Sequence, residues 1–288
     1  MLTVKSRKWS FLIVLLVYLV ATAIGVAFYL AVSAWPFFVR LLVADVIATV
    51  VVFAFSLLFG NASMYDPYWS VQPPVILTAL AIGMDGPLTL GGVLLLAAVW
   101  YWGIRLTMNW AYTFHGLTHQ DWRYTMLSEK TGSLYPAVNF LGIHMFPTLV
   151  VYACLLPAAY AIIEGREANV ATFLGVALSL LAATLQLISD VEMQAFRKRS
   201  TGGFIREGLW KYARHPNYLG EILMWWGIAI ASLSLLPIDR FYLAAGAFIN
   251  TLMFLFVSIP MADRRQARKE GYADYRAETR SLLPIPKK

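Results

Sequence analysis

The sequence predicts an all-α, polytopic membrane bundle of seven or eight transmembrane helices. Three observations predict it. Apolar residues make up 59% of the 288 positions and charged residues only 14%, where a soluble domain carries about a quarter. The apolar residues fall in runs suited to a bilayer core of ~30 Å. Of the 23 Lys and Arg, all but Arg40, Arg166 and Arg240 fall on one side if every run crosses. That asymmetry marks cytoplasmic loops and favours an even number of crossings.

The runs are, in order, 10–32, 37–59, 73–84, 88–108, 140–163, 168–189, 219–236 and 241–260. The first is long enough to remain as a helix and lacks a small-residue cleavage site, so it is not read as a signal peptide. The third is short, between Pro73-Pro74 and Gly86-Pro87, and is either re-entrant or spanning. It leaves the count at seven or eight. The connections 33–36, 85–87, 164–167 and 237–240 are short, while 60–72, 109–139, 190–217 and the tail from 261 are long. With both termini cytoplasmic, the long segments share one side, and chemistry is expected there. No linker, repeat or low-complexity tract divides the chain, so 1–288 is read as one membrane domain. The net charge of +7 is concentrated on the cytoplasmic face, where attraction to anionic lipid is its simplest meaning.

Several classes of function are disfavoured. The lone Cys154 excludes a disulfide framework and a Cys-based metal site. His115 and His119 have i, i+4 spacing but lack the Glu of HExxH and a third ligand, so no metal is expected. There is no P-loop and no GxGxxG. Nucleic acid is not an expected partner, because the basic residues hug a bilayer.

Five polar constellations remain. In 61–70, Asn61, Tyr65, Asp66 and Trp69 sit at a span end, with Pro67 placing Asp66 in a bend. An interfacial aromatic belt gives this pattern; so does a Tyr/Asp pair that donates a proton to a substrate oxygen. Tyr101, Arg105 and Asn109 share one helix face, with Trp102 adjacent. Snorkelling explains one Arg there, whereas a polar cavity suits the whole stripe. Asp190, Gln194 and Arg197 follow at i, i+4 and i+7. They form either an ion pair or a nucleotide grip, the carboxylate accepting from ribose or amide and the Arg forking onto phosphate. In RHPNYLGE, Arg214 to Glu221, Pro216 suits a helix start. Asn217, Tyr218 and Glu221 lie a turn apart, and Trp225 extends the stripe. Glu221 sits inside the apolar run and needs a partner. Finally Asp263, Arg264, Arg265, Arg268, Tyr272 and Tyr275 follow the last run. A basic juxtamembrane helix reads the same way.

On these residues the chain resembles the steroid 5-alpha-reductase-like membrane family, and within it the bacterial DUF1295 branch, related to isoprenylcysteine carboxyl methyltransferases. The resemblance covers most of the chain and is strongest from Asp190 onward. The family's Asp and Arg seven residues apart, its Gly-Gly turn, its Asn and its Glu four residues beyond fall on Asp190, Arg197, Gly202-Gly203, Asn217 and Glu221. Tyr275 and Leu282-Leu283-Pro284 match the tail. The resemblance implies NADPH as cofactor, with 140–288 as the core. The residues expected around it are Arg105, Asn109, Asp190, Gln194, Arg197, Phe204, His215, Asn217, Tyr218, Glu221, Arg264, Arg268 and Tyr275. Where the steroid enzymes carry Gln-Glu-Leu-Pro-Ser, this chain has Tyr65-Asp66-Pro67-Tyr68-Trp69-Ser70, and their substrate Tyr falls on Trp102.

The expected activity is NADPH-dependent reduction of an activated C=C bond in a steroid- or lipid-like molecule. Tyr65, Asp66 and Tyr101 are the candidate proton or hydrogen-bond donors, and Asn61, Trp69, Trp102 and Trp225 the candidate substrate contacts. The expected setting is a bacterial inner membrane, with the site open to the cytoplasm. Two other readings stand beside it. RHPNYLGE equally fits the RHPxYxG motif of S-adenosylmethionine-dependent membrane methyltransferases, although Arg264, Arg265 and Arg268 replace the acidic tail such a cationic cofactor favours. A non-catalytic lipid-binding or transport protein would use the polar stripes to line a path.

Overall fold

The computed structural model describes residues 2–200 and 202–287. Among the described residues there is no strand; an isolated bridge between Ala213 and Arg280 is the single β-type pairing. Six helical stretches are long and apolar enough to cross a membrane: Arg7–Ala31, Phe37–Phe59, Leu90–Thr113, Trp122–Glu164, Val170–Arg199 and Ile238–Gln266. They make the chain an all-α integral membrane protein. Two further helices, Tyr68–Ile82 and Pro216–Leu233, coincide with the other two predicted runs. At 15 residues the first rises only ~22 Å. The second has 18 residues, and its first turns carry Asn217 and Glu221.

Helix boundaries depart from the apolar runs in physically sensible places. The third helix begins at Tyr68 rather than at Pro73, because Pro67 supplies the start: its carbonyl accepts from the Ser70 and Val71 amides and from Ser70 Oγ. The polar stretch 122–138 is helical and joins the next apolar run. The joined stretch is interrupted by a 3-10 turn at Gly132–Leu134 and a π-helical segment at Asn139–Met145. The sixth run extends to Arg199, past the apolar boundary, so Asp190, Gln194 and Arg197 do share one continuous helix.

The chain divides into two compact units. One comprises Met1–Pro73 and Thr107–Tyr152. Its core sets Val14, Val17, Tyr18 and Ala21 of the first helix against Ala48 and Val52 of the second, with Met64, Tyr65, Tyr68, Phe114 and Leu117. Gly60, with φ 63°, ends the second helix in the left-handed region, which glycine adopts without steric cost.

The other unit comprises Pro74–Leu106 and Ala153–Lys288. Its organising feature is the close packing of Val170–Arg199 against Pro216–Leu233. Gly175 and Gly227 face each other: a Cβ on Gly227 would lie 2.6 Å from the Gly175 carbonyl oxygen and 2.6 Å from the Ser179 nitrogen. A Cβ on Gly220 would collide with the Gln186 side chain. Small residues let membrane helices approach this closely. One end of the pair is fixed by Asn169, which caps its own helix and donates Nδ2–H to the Ser234 carbonyl at 2.8 Å. Antiparallel packing from that end carries Gln186 and Asp190 toward Glu221.

Candidate functional site

The second unit gathers most of the residues singled out above. Arg105 is buried and donates from Nη1 to Asp190 Oδ2 at 2.8 Å. Its Nη2 donates to Gln186 Oε1 and lies 4.0 Å from Glu221 Oε2. Glu221, also buried, accepts three further hydrogen bonds: from Gln186 Nε2 at 2.7 Å, Trp102 Nε1 at 2.9 Å and Trp225 Nε1 at 2.9 Å. The two indoles are fully buried and meet edge to face at 5.0 Å. The partner that Glu221 requires is therefore this protein-supplied set. Sequence reasoning missed Gln186. It lies one turn before Asp190 inside an apolar run, and that i, i+4 spacing was the signal that could have found it. Tyr101 faces elsewhere on the same unit, its hydroxyl 3.0 Å from Thr184 Oγ1.

A second knot ties the start of Pro216–Leu233 to the tail. Asp263 accepts from His215 Nε2 at 2.9 Å, Tyr272 OH at 2.5 Å and Arg214 Nε at 3.3 Å. The Arg214 and His215 amides donate to the Arg280 and Ser281 carbonyls, each at 3.0 Å. Tyr275 donates to the Trp210 carbonyl at 2.5 Å and packs on Phe204. His215 stacks on Tyr218 at 5.1 Å. Burial pushes the Tyr275 phenol up to about 12 and raises that of Tyr272, so both stay protonated donors near neutrality. His215, Tyr218, Phe204 and Tyr275 are thus built into the framework that presents Asn217. That Asn is half-buried, and its Oδ1 is buried without a hydrogen-bond partner.

Around these knots the unit carries exposed cations: Arg197, Arg264 and Arg268. Arg197 lies within electrostatic reach of Asp190 and of Lys269. Burial, then Arg265 and Arg197, hold the Lys269 amine below its ordinary range. Lys269 also donates to the Gly203 carbonyl, which places it on the Gly-Gly turn. Gln194 is half-buried on the same helix as Asp190 and Arg197.

The remaining candidates belong to the first unit. Asn61 donates to the Leu117 and His119 carbonyls at 2.7 and 3.0 Å and accepts from the Ser63 amide at 2.8 Å. Its side chain holds two loops together. Tyr65 and Asp66 are neighbours with separate partners. Tyr65 OH lies 2.8 Å from Thr148 Oγ1, while Asp66 accepts from Tyr124 and lies 4.0 Å from Arg123. Trp69 and Asn109 are half-buried. Among the described residues, no three His, Cys, Asp or Glu side chains gather to hold a metal.

Burial pushes the Asp66 carboxyl up to about 6, against the pull of Arg123 and the Tyr124 hydrogen bond. A raised carboxyl pKa means the folded state holds the proton more tightly. Its stabilising contribution is complete below the unfolded value near 4 and is lost as pH rises through about 6. Between pH 4.5 and 7.5 the wild type is therefore expected to lose roughly 2 kcal/mol relative to Asp66→Asn. Parallel melting of both proteins across that range, with no difference in slope, would refute the assignment.

The chain is similar in sequence to known proteins. The family model described as a protein of unknown function (DUF1295) matches residues 52–279. An uncharacterized protein of Schizosaccharomyces pombe is 27% identical over 232 residues, 70% of this chain and 67% of its own. The human 3-oxo-5-alpha-steroid 4-dehydrogenase 2 is 27% identical over 173 residues, 58% of this chain. That alignment spans 63% of the human protein, less than two thirds of its length. No solved structure matches. The family match runs through both knots, from the first-unit loop at Asn61 to Tyr275 in the tail, and the chain belongs to the DUF1295 family of steroid 5-alpha-reductase-like membrane proteins.

Proposed function

We propose that this protein is an NADPH-dependent reductase of a C=C bond conjugated to a carbonyl, acting on a hydrophobic steroid- or lipid-like molecule. The similarity to a human enzyme named for 3-oxo-5-alpha-steroids supports the reaction class. The observation that carries the cofactor is the gathering of cations at the Gly-Gly turn: Lys269 donates to the Gly203 carbonyl and lies within electrostatic reach of Arg265 and Arg197, with Arg197 exposed. Such a group attracts phosphate oxygens. In the same unit, Asn217 Oδ1 is a buried acceptor without a donor, suited to a ribose hydroxyl or a carboxamide. These residues fit a phosphate-bearing dinucleotide.

Arg197, Arg264 and Arg268 would meet its phosphates. Arg105, whose amino groups are engaged with Asp190, Gln186 and Glu221, would act by holding those acids in place. Bound NADPH supplies the hydride. The protein must then supply a donor to the carbonyl oxygen, where negative charge grows. Tyr65 and Asp66 are the candidate donors of the first unit and Tyr101 that of the second, and the half-buried Trp69 is the candidate ring for an apolar body. The nucleotide would enter from the cytosol and the lipid from the bilayer, with both chain termini cytosolic in a bacterial inner membrane.

In mild detergent, NADPH is expected to raise the melting midpoint more than NADH or S-adenosylmethionine does. Arg197→Ala, a change at an exposed side chain, is expected to weaken NADPH at least ~10-fold, the scale of one charge-assisted hydrogen bond of ~1.5–3 kcal/mol. Lys287→Ala should leave it unchanged. Equal shifts from all three cofactors would overturn the proposal.

A further inference from the structure

The first unit contains a polar group that the reductase reading does not use. His144 is fully buried, 0% exposed, in the π-helical segment Asn139–Met145. Its Nδ1 lies 3.1 Å from the Asn139 carbonyl oxygen. A carbonyl only accepts, so Nδ1 carries the proton, and in the neutral ring Nε2 is a bare acceptor. Nε2 has no partner. Nor has Asn139 Oδ1, on a side chain 3% exposed at the start of the same segment. The rings of Tyr65 and Phe53 face it at 4.7 and 5.2 Å, centroid to centroid. Each unsatisfied buried acceptor costs about 1–3 kcal/mol. Single-turn π segments carry their own cost and concentrate at functional sites.

We infer that His144 Nε2 and Asn139 Oδ1 form a subsite for the hydroxyl of an apolar ligand. The hydroxyl's single hydrogen is shared by the two acceptors in a three-centre bond, and the rings of Phe53, Tyr65 and Phe140 receive the attached hydrocarbon; Phe53 and Phe140 lie 4.9 Å apart. The Tyr65 hydroxyl does not fill the need, because it is engaged with Thr148. The inference deepens the proposed function, and rests on it, only in calling that ligand the substrate: the molecule reduced would then bear an alcohol as well as the enone.

The test uses three matched pairs added to the full-length protein in mild detergent: a fatty alcohol, farnesol and a 3-hydroxy steroid, each against its methyl ether. At least one alcohol should bind ~5–10-fold more tightly than its ether, the scale of one neutral hydrogen bond. His144→Phe should erase that preference and Asn139→Ala should reduce it, with the NADPH shift intact in both. In histidine-labelled wild-type protein, the same alcohol should move the Nε2 nitrogen resonance, and the ether should not. This second readout holds even where a variant fails to fold. No preference in any pair overturns the subsite. So does a preference that survives His144→Phe, or an Nε2 already hydrogen-bonded to a buried water and indifferent to alcohol. Loss of the NADPH shift with the alcohol preference retained sinks the reductase reading alone, and the reverse sinks the subsite alone.

Discussion

Replacing Arg105 with Met is expected to lower stability by about 3–5 kcal/mol, the cost of breaking a buried ion pair from one side. Arg105 lies between two acids, Asp190 at 2.8 Å and Glu221 at 4.0 Å. Without it, Asp190 loses its hydrogen-bond donor inside the unit, and Gln186 Oε1 loses its own. Glu221 keeps two indoles and one amide, so the damage should centre on Asp190. Adding Asp190→Leu to Arg105→Met should therefore cost less than the sum of the two single changes, by about 0.5–3 kcal/mol. Equilibrium unfolding in mixed micelles, with the four proteins compared, measures the coupling. A single-mutant loss under ~1 kcal/mol would show that water reaches the set and that the pair is of the weak surface kind.

That network also marks how far the sequence could be read. The apolar runs gave the helices, because a bilayer tolerates little else. Each polar stripe named by spacing does lie on a helix or at its start. The grouping of Asp190 with Arg105 and Glu221 crosses 85 and 31 positions of chain, and no local period reports such a distance. Gln186 escaped notice because one amide in an apolar run resembles a tolerated defect. Trp102 and Trp225 read as substrate contacts, while the structure buries both rings and engages their N–H groups with Glu221. Asp263 read as one acid in a basic tail, yet it joins Arg214, His215 and Tyr272. His144 and Asn139 gave no signal, since a π-helical segment leaves no mark in apolar periodicity.

Gly227→Leu is expected to abolish the folded second unit. The two backbones touch here: the new Cβ would sit 2.6 Å from the Gly175 oxygen and 2.6 Å from the Ser179 nitrogen. Neither obstacle is the end of a flexible side chain, so relief requires the helices to separate. Overpacking in a compliant core costs about 1–3 kcal/mol. A backbone collision at a helix seam exceeds that, because separation also draws Gln186 and Glu221 beyond their 2.7 Å hydrogen bond. Glu221 would then lose a donor in a buried position, a further ~1–3 kcal/mol. Gly86 supplies the control. It is exposed in the connection before Leu90–Thr113, with nothing within 4 Å of a built Cβ, and Gly86→Ala should leave the unfolding free energy within ~0.5 kcal/mol of wild type. Gly227→Leu protein that stayed monodisperse in detergent, with an unchanged midpoint and NADPH shift, would mean that the glycine seam does not set the spacing of the acids.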